Sequence, residues 1–388
     1  MLYFVIYIII SLIFFLSSER NEKISNGALA AILLVLALIV GLGDMLGGYD
    51  RYGYCQLFDQ CADQLRAGRD LWARDNAIMG YSSEMSYVLL NMGISYVTEN
   101  RYIFILITTL IMYLMIFLCI KEYIDKYPFA ILMFLSLFFF FTFTYLRQAL
   151  ATCFCWYAYR YVINRKFLKF AIFTFIAYKF HNSAIVFFPF YFVPMKKYPR
   201  NFVFSTMGVL LLIGLTGLPS SLYGIYGDAT GADARTAQYE VYGHTTRIEY
   251  ILEAFVFLYF IFQKYDKIPN DPKYITLLNS ALAFCAFLLF FVTSSAAGRQ
   301  SWYYMMGIIG VLSYLSSIKG GKTFAGNLYV ILLLLFIRFV FSWGMLITPY
   351  KSFLTNGHRE GDFTFYGWEY DEKYDKDKFY RKAIDIQW

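Results

Sequence analysis

Apolar runs of membrane-spanning length recur along this sequence from its first residues to about residue 346. The hydrocarbon core of a bilayer is about 30 Å thick, and about 20 apolar residues in a helix can cross it. Only 16% of the 388 residues are charged, against about 25% in an ordinary soluble domain. We therefore predict an all-α, polytopic integral membrane protein with about 12 transmembrane helices. The predicted spans are residues 2–16, 27–43, 102–120, 128–146, 148–163, 167–180, 182–195, 202–217, 248–263, 274–293, 300–317 and 323–346.

One further apolar segment, residues 86–98, is about 13 residues long, which is too short for a span. We predict that it forms a re-entrant or amphipathic helix on the outer side. Residues 1–348 then form a single transmembrane domain with large outer loops at 44–101 and 218–247. Residues 349–388 are rich in Tyr, Asp and Lys and contain no apolar run, so they are predicted to form an extracytoplasmic C-terminal tail.

The net charge of +7 comes with Lys and Arg clustered in short loops between the predicted spans, which argues against a nucleic-acid-binding protein. One alternating set of loops holds sixteen basic residues against six acidic ones. Because loops rich in Lys and Arg stay in the cytoplasm, this set is predicted to be cytoplasmic and both termini extracytoplasmic. The sixteen are Arg20, Lys23, Lys121, Lys126, Arg160, Arg165, Lys166, Lys169, Lys196, Lys197, Arg200, Lys264, Lys267, Lys273, Lys319 and Lys322.

Two cysteines, Cys55 and Cys61, lie outside the predicted spans. A disulfide between them requires that their segment is not helical, because positions six apart on a helix are too far apart and on different faces. The sequence shows no phosphate loop, dinucleotide fingerprint, zinc motif or nucleophile elbow. No metal site and no cofactor are predicted.

Basic residues at the predicted outer face run against the positive-inside bias, and Arg147 is the most informative of them. It lies between two apolar runs, in a stretch from Lys126 to Arg160 that is too long for one straight span. The chain is therefore predicted to turn back at about Arg147. An Arg with little polar company at membrane depth needs a cavity or an anion, although it could also extend to outer lipid headgroups.

A second polar turn contains Lys179 and His181, between apolar arms of about 14 residues, or roughly 21 Å each. These arms are shorter than the bilayer core, so the turn is predicted to lie below the outer surface. An imidazole in that position could accept a proton, bind phosphate, or be an ordinary hydrogen-bonded structural His. A third such residue, Arg299, opens a span at the outer boundary, where it could also anchor the helix at the interface.

Five short motifs occur in a fixed order, and this ordered set resembles the EpsG-like family of Wzy-type polysaccharide polymerases. The resemblance covers nearly the whole chain, and each motif is short. The motifs are Gly-Gly-Tyr-Asp-Arg-Tyr-Gly-Tyr at 47–54, Tyr-Leu-Arg-Gln-Ala-Leu-Ala at 145–151, Lys-Phe-His-Asn-Ser-Ala at 179–184, Ala-Gly-Arg-Gln-Ser-Trp-Tyr-Tyr at 297–304 and Pro-Tyr-Lys at 349–351.

The resemblance implies an enzyme of capsule, exopolysaccharide or O-antigen assembly in the bacterial cytoplasmic (inner) membrane. It would join polyprenyl-pyrophosphate-linked oligosaccharide repeat units on the outer face by an inverting, metal-independent glycosyl transfer. A chain-length regulator and a flippase are the implied partners, besides the membrane lipid. The implied roles are Arg147 and Arg299 as clamps on the pyrophosphate, Arg51 and Lys179 as further phosphate contacts, His181 or Asp50 as the general base, and Gln148, Gln300 and Tyr304 in support.

Other classes of protein remain open at this point. A flippase or transporter of lipid-linked oligosaccharides would also bind pyrophosphate, but it should carry polar residues in both halves of the membrane. A membrane O-acyltransferase would use a His with a cytoplasmic acyl donor. A glycan ligase is chemically close to a polymerase.

Overall fold

The computed structural model describes residues 1–20, 24–44, 48–222, 245–294, 296–318, 322–348, 350–354, 378 and 380–387. Most of the predicted outer loop 218–247 and of the predicted tail 349–388 lies outside these residues. Within them the fold is all-α, and the sole β-type pairing is an isolated bridge between Gly43 and Ser352. The longer helices are α1 (Leu2–Arg20), α2 (Asn26–Gly41), α3 (Tyr49–Arg66), α4 (Met85–Ser95), α5 (Arg101–Tyr123), α6 (Tyr127–Leu137), α7 (Leu146–Ile163), α8 (Phe167–Phe180), α9 (Arg200–Leu215), α10 (Ile248–Gln263), α11 (Pro272–Phe290), α12 (Met305–Ser317) and α13 (Lys322–Ser342).

Short helical segments connect several of these helices. Three have four residues and are α-helical: Phe141–Thr144, Ala297–Gln300 and Gly344–Ile347. Five are 3-10 helices: Ala77–Glu84, Asn182–Phe192, Leu218–Ser221, Tyr265–Lys267 and Ser301–Tyr304.

Several helices begin where the sequence supplies a capping side chain. The Ser25 hydroxyl accepts a hydrogen bond from the backbone of α2, and Asn100 caps α5 in the same way. At α11 the carboxylate of Asp271 accepts from the backbone N–H of Lys273, the second residue of the helix, and Pro272 occupies the first turn. Such caps satisfy backbone N–H groups that have no partner inside the helix.

Every predicted span coincides with helical structure, but the count of 12 transmembrane helices is not confirmed. Three of the described helices, α5, α11 and α13, are long and apolar enough to cross a membrane. Shorter apolar helical stretches are Leu2–Ser17, Asn26–Gly41, Tyr127–Leu137, Asn182–Phe192 and Arg200–Leu215.

The predicted spans 128–146 and 182–195 are among those that are not continuous α-helices. The predicted span 128–146 is interrupted after α6 at Phe138, and again at Tyr145, whose φ of −91° and ψ of 59° are not helical. The predicted span 182–195 is a 3-10 helix with Pro189 inside it. Proline lacks the N–H that an α-helix needs in its interior, which explains the second difference.

Contacts between residues divide the chain into two compact units. The first comprises Met1–Tyr157, Ile172–Ile185 and Tyr329–Trp388, and the second comprises Ala158–Ala171 and Val186–Leu328. The prediction of a single transmembrane domain therefore stays a prediction.

In the first unit, α2 packs closely on α5. A Cβ atom added to Gly41 would lie 2.9 Å from a methyl carbon of Leu106, so the glycine permits the close approach. The polar helix α3 lies beside α5 and is tied to it by a buried ion pair between Asp59 and Arg101. These side chains are 0% and 1% exposed, and such a pair persists only because each charge compensates the other.

Four chain segments meet at one end of the first unit. The Tyr3 hydroxyl at the start of α1 donates to the Ile347 carbonyl, 2.7 Å away, just beyond α13. The backbone N–H of Asp44, past the end of α2, donates to the Lys351 carbonyl over 2.9 Å. The ring of Phe353 stacks on Tyr102 at the start of α5.

Residues 380–387, here named the tail segment, fold back on the turn between α4 and α5. The backbone N–H groups of Asp385 and Gln387 donate to the carbonyls of Val97 and Tyr96 over 2.9 and 2.8 Å. The Asp385 carboxylate also pairs with Arg66 at the end of α3, at 3.1 Å. The tail segment is therefore an integral part of the first unit.

In the second unit, the core is the pair of helices α11 and α12. Gly307 lies against the backbone of α11, since an added Cβ atom would be 2.4 Å from the Ala281 nitrogen. The Tyr159 hydroxyl hydrogen-bonds to the Ser280 hydroxyl and donates to the Tyr303 carbonyl over 3.1 Å. Small residues and interhelical hydrogen bonds of this kind are typical of helix packing in membranes.

Candidate active site

Arg147 lies in the first turn of α7, immediately after the break in the helix at Tyr145. Apolar residues before the break, among them Phe139, Phe140 and Phe143, are buried in the first unit. The sequence predicted that one helix does not run through this point, and the interruption agrees with that prediction.

The guanidinium of Arg147 is enclosed by one carboxylate and three aromatic rings. It forms an ion pair with Glu84, and the two side chains are 14% and 2% exposed. Its central carbon lies 5.4, 4.8 and 5.6 Å from the ring centroids of Tyr54, Tyr81 and Tyr87. These distances are in the range of cation–π attraction. Arg147 is thus held in one place by contacts from several directions.

All four partners lie within residues 44–101, which the sequence predicts to be an outer loop. Tyr54 belongs to α3, Tyr81 and Glu84 belong to the 3-10 helix Ala77–Glu84, and Tyr87 lies in the first turn of α4. The helix predicted at 86–98 corresponds to α4, which carries part of the site, and its outer position stays a prediction. Burial raises the pKa of the Tyr54 and Tyr87 phenols, although the charge of Arg147 acts in the opposite direction. Both phenols are consequently neutral at pH 7.

His181 lies in the turn between α8 and the 3-10 helix that follows it, and Glu84 connects this turn to Arg147. One carboxylate oxygen of Glu84 pairs with Arg147, and the other accepts from the Asn182 backbone N–H over 3.2 Å. Glu84 thus holds two of the predicted site elements together, although they are far apart in sequence.

The imidazole of His181 is oriented by Ser183. Its Nδ1 lies 3.3 Å from the Ser183 backbone nitrogen and 2.7 Å from the Ser183 hydroxyl. A backbone N–H can only donate, so Nδ1 is the acceptor and the neutral ring carries its proton on Nε2.

The same turn docks on residues next to Glu84. Lys179 donates through Nζ to the Ser83 carbonyl, 3.2 Å away, and lies beside the rings of Phe175 and Tyr178. The Ser86 hydroxyl donates to the Ile176 carbonyl over 3.3 Å. Lys179 and Arg147 therefore bond to the adjacent residues Ser83 and Glu84, and the role of Lys179 as a phosphate contact stays a prediction.

Arg51 has a different environment from that expected of a phosphate contact. It is 1% exposed. Its guanidinium donates to the carbonyls of Val40 and Gly43, at 2.9 and 2.7 Å, and of Phe143, at 3.3 Å. These carbonyls lie at helix ends, where they have no partner within the helix. Arg51 fastens the end of α2 to the segment before Arg147, so we leave it out of the proposed anion site.

Two further predicted residues belong to the first unit. Asp50 lies in the first turn of α3, one helical turn before Tyr54, and is half-buried. Gln148 is buried beside Arg147 in α7, and its carbonyl accepts from the Thr152 hydroxyl. A catalytic role of Asp50 and a supporting role of Gln148 stay predictions.

Arg299, Gln300 and Tyr304 belong to the second unit. Arg299 and Gln300 are half-buried in the four-residue helix Ala297–Gln300. Tyr304 is buried, donates to the Val186 carbonyl over 2.6 Å and packs on Phe187. The structure brings Arg147 and the His181 turn together, whereas a shared site that includes Arg299 stays a prediction.

Cys55 and Cys61 both lie in α3, and no disulfide joins them. The helix excludes the disulfide for the reason that the sequence gave as a condition. In the described part of the chain, no group of three or more His, Cys, Asp or Glu side chains could hold a metal ion.

The apolar helices and the buried polar site at a helix break are those of a helical membrane protein. Comparison with protein families places it more closely, because the model of the EpsG family matches residues 28–352. The chain therefore belongs to the EpsG family, which is associated with polysaccharide biosynthesis. No curated protein and no solved structure matches the chain in the same kind of comparison.

Proposed function

We propose that this protein is a polysaccharide polymerase of the bacterial cytoplasmic membrane. It joins oligosaccharide repeat units carried on polyprenyl pyrophosphate, on the outer face of the membrane, with inversion at the anomeric carbon. The observation that supports this proposal best is the fixed position of Arg147, beside the His181 turn, with Glu84 bonded to both.

Arg147 is the proposed primary contact for the donor pyrophosphate. A guanidinium offers a planar fork of donors that matches two phosphate oxygens at once. Because its position is already set by Glu84 and the tyrosine rings, little ordering is needed when the substrate binds. Lys179 is a second contact from the adjacent turn, and Arg299 is proposed to reach the same pyrophosphate.

In the proposed reaction, a hydroxyl oxygen of the acceptor sugar forms a bond to the anomeric carbon of the donor. The bond from that carbon to the pyrophosphate oxygen breaks, and the pyrophosphate leaves on its lipid with both electrons. The acceptor proton passes to a general base. Pyrophosphate is already a good leaving group, so this scheme needs no metal.

We propose His181 as the base, with the Ser183 hydroxyl as its relay. Ser183 Oγ lies 2.7 Å from Nδ1, which is the nitrogen that can accept a proton in the tautomer inferred from the Ser183 backbone contact. The hydroxyl can pass its own proton to Nδ1 as it takes one from the sugar. Asp50 is the alternative base, and substitution of His181 separates the two.

The test is polymer formation by the purified full-length protein from lipid-linked repeat units in detergent, with EDTA present. A ladder of products is the expected result. A flippase moves its substrate from one side of a membrane to the other without changing it chemically. In detergent there are no two sides, so a flippase would leave the repeat units unchanged. Transfer of a single unit to another lipid or protein, without a ladder, would identify a ligase instead. Loss of activity in EDTA, restored by a divalent ion, would contradict the metal-free scheme.

A further inference from the structure

Glu84 takes part in no bond-making step of the reaction described above, although it contacts both Arg147 and the His181 turn. Its carboxylate is 2% exposed and lies on two donors, the Arg147 guanidinium and the Asn182 backbone N–H. A guanidinium and a backbone N–H form the kind of donor set that proteins use to bind phosphate oxygens. In this structure a side-chain anion occupies that set.

We infer that Glu84 is a resident counter-anion that competes with the lipid pyrophosphate for Arg147 and thereby sets the affinity of the site. The inference rests on the proposed function, because the ligand is the pyrophosphate of the donor and of the product. Glu84 acts through Arg147 and is therefore a positioning residue. It keeps the guanidinium in place when no substrate is bound.

Two physical requirements make such a residue useful. A buried Arg without a nearby negative charge is costly, so Arg147 needs a counter-charge between reaction cycles. Donor and product also carry the same pyrophosphate. Tight binding of that group would hold the product as well as the donor and would therefore slow the release of product. A competing carboxylate weakens the binding of pyrophosphate while keeping the geometry of Arg147.

The experiment measures the binding of inorganic pyrophosphate to the purified full-length protein by calorimetry, in detergent with EDTA. Glu84→Gln removes the negative charge and keeps the shape of the side chain. We therefore expect it to bind pyrophosphate at least about tenfold more tightly than the wild type does, and a tenfold change in Kd corresponds to about 1.4 kcal/mol. Glu84→Asp keeps the charge and should not tighten binding. Arg147→Gln should weaken it by a similar factor or more.

The matched control is Glu99→Gln, which makes the same change in charge at a carboxylate that pairs with Arg66 instead. It should leave pyrophosphate binding within about twofold of the wild type, a difference of less than 1 kcal/mol. Equal tightening by Glu99→Gln would mean that only the net charge matters, and it would overturn the inference.

Unchanged or weaker binding by Glu84→Gln, or no binding by any variant, would likewise overturn it. If Glu84→Gln does not accumulate in the membrane, Glu84→Ser carries the same expectation because it also removes the charge. Failure of the proposed function is a separate result. It would appear as an absence of polymer in the ladder assay, whereas pyrophosphate binding that survives Arg147→Gln would overturn the inference.

In turnover, Glu84→Gln should lower the KM for the donor and also lower kcat, because product leaves more slowly. A residue that only supports the fold would lower the amount of active protein without lowering KM.

Discussion

Replacement of Arg147 by Lys tests whether the site needs a guanidinium or only a positive charge. Arg147 contacts three tyrosine rings at 4.8 to 5.6 Å and one carboxylate. A lysine ammonium is a point charge that cannot lie against three rings at once. The loss of two such contacts, at about 0.5–1 kcal/mol each, should reduce the stability of the protein by about 1–2 kcal/mol. The larger effect concerns the reaction, because Lys lacks the fork of donors that can hold two phosphate oxygens.

The loss of one preorganised donor to the departing group costs about 2–4 kcal/mol of transition-state stabilisation, or roughly 30- to 1,000-fold in rate. The assay is the rate of polymer formation by equal amounts of folded protein. Arg165→Lys is the control, because Arg165 also lies over a tyrosine ring, at 5.4 Å, and has no part in the proposed site. A rate for Arg147→Lys within about threefold of the wild type, less than 1 kcal/mol, would refute the reasoning.

Three further predictions concern the site and the two units. His181→Gln should abolish polymer formation at a normal level of membrane-inserted protein, and a normal rate would return this residue to a structural role. Asp59→Asn should lower the free energy of unfolding by about 3–5 kcal/mol, because it removes the carboxylate that pairs with the buried Arg101. The control is Asp63→Asn, at a carboxylate that is 46% exposed, which should lower the same free energy by less than about 1 kcal/mol. Gly307→Ala should destabilise the second unit by about 1–3 kcal/mol, since the added methyl group meets the backbone of α11. An unchanged unfolding temperature would contradict this, because it would show that α11 and α12 can move apart at no cost in free energy.

The positions of the helices could be predicted from the sequence because apolar periodicity and run length are local properties. The predicted span 167–180 coincides with α8, and the span 102–120 extends only a few residues to become α5. The number of membrane crossings could not be fixed in this way. Several apolar helices are shorter than a bilayer requires, and hydropathy alone does not decide whether a short helix crosses.

Half of the candidate site could also be predicted, since Arg147 and the His181 turn are polar residues that lie between apolar runs of the sequence. Glu84 and the tyrosines could not, because their convergence on Arg147 depends on the packing of α3 and α4. The one signal in the sequence was the position of Glu84 next to a short apolar segment that was predicted to form a re-entrant or amphipathic helix. Arg51 was predicted to contact phosphate because it lies inside a motif, and packing that the sequence does not reveal gives it three backbone carbonyls as partners.

The meeting of chain ends in the first unit has a consequence for membrane topology. The start of α1 is bonded to the residues after α13, and those residues are bonded to the end of α2. Arg51 links that same end to the segment before Arg147, and the tail segment is bonded to the turn before α5. The N-terminus, the tail segment and the proposed active site must therefore all lie on the same side of the membrane. A single reporter fused after residue 387 should report the extracytoplasmic side for all of them, and a cytoplasmic signal would place the proposed chemistry on the wrong face of the membrane.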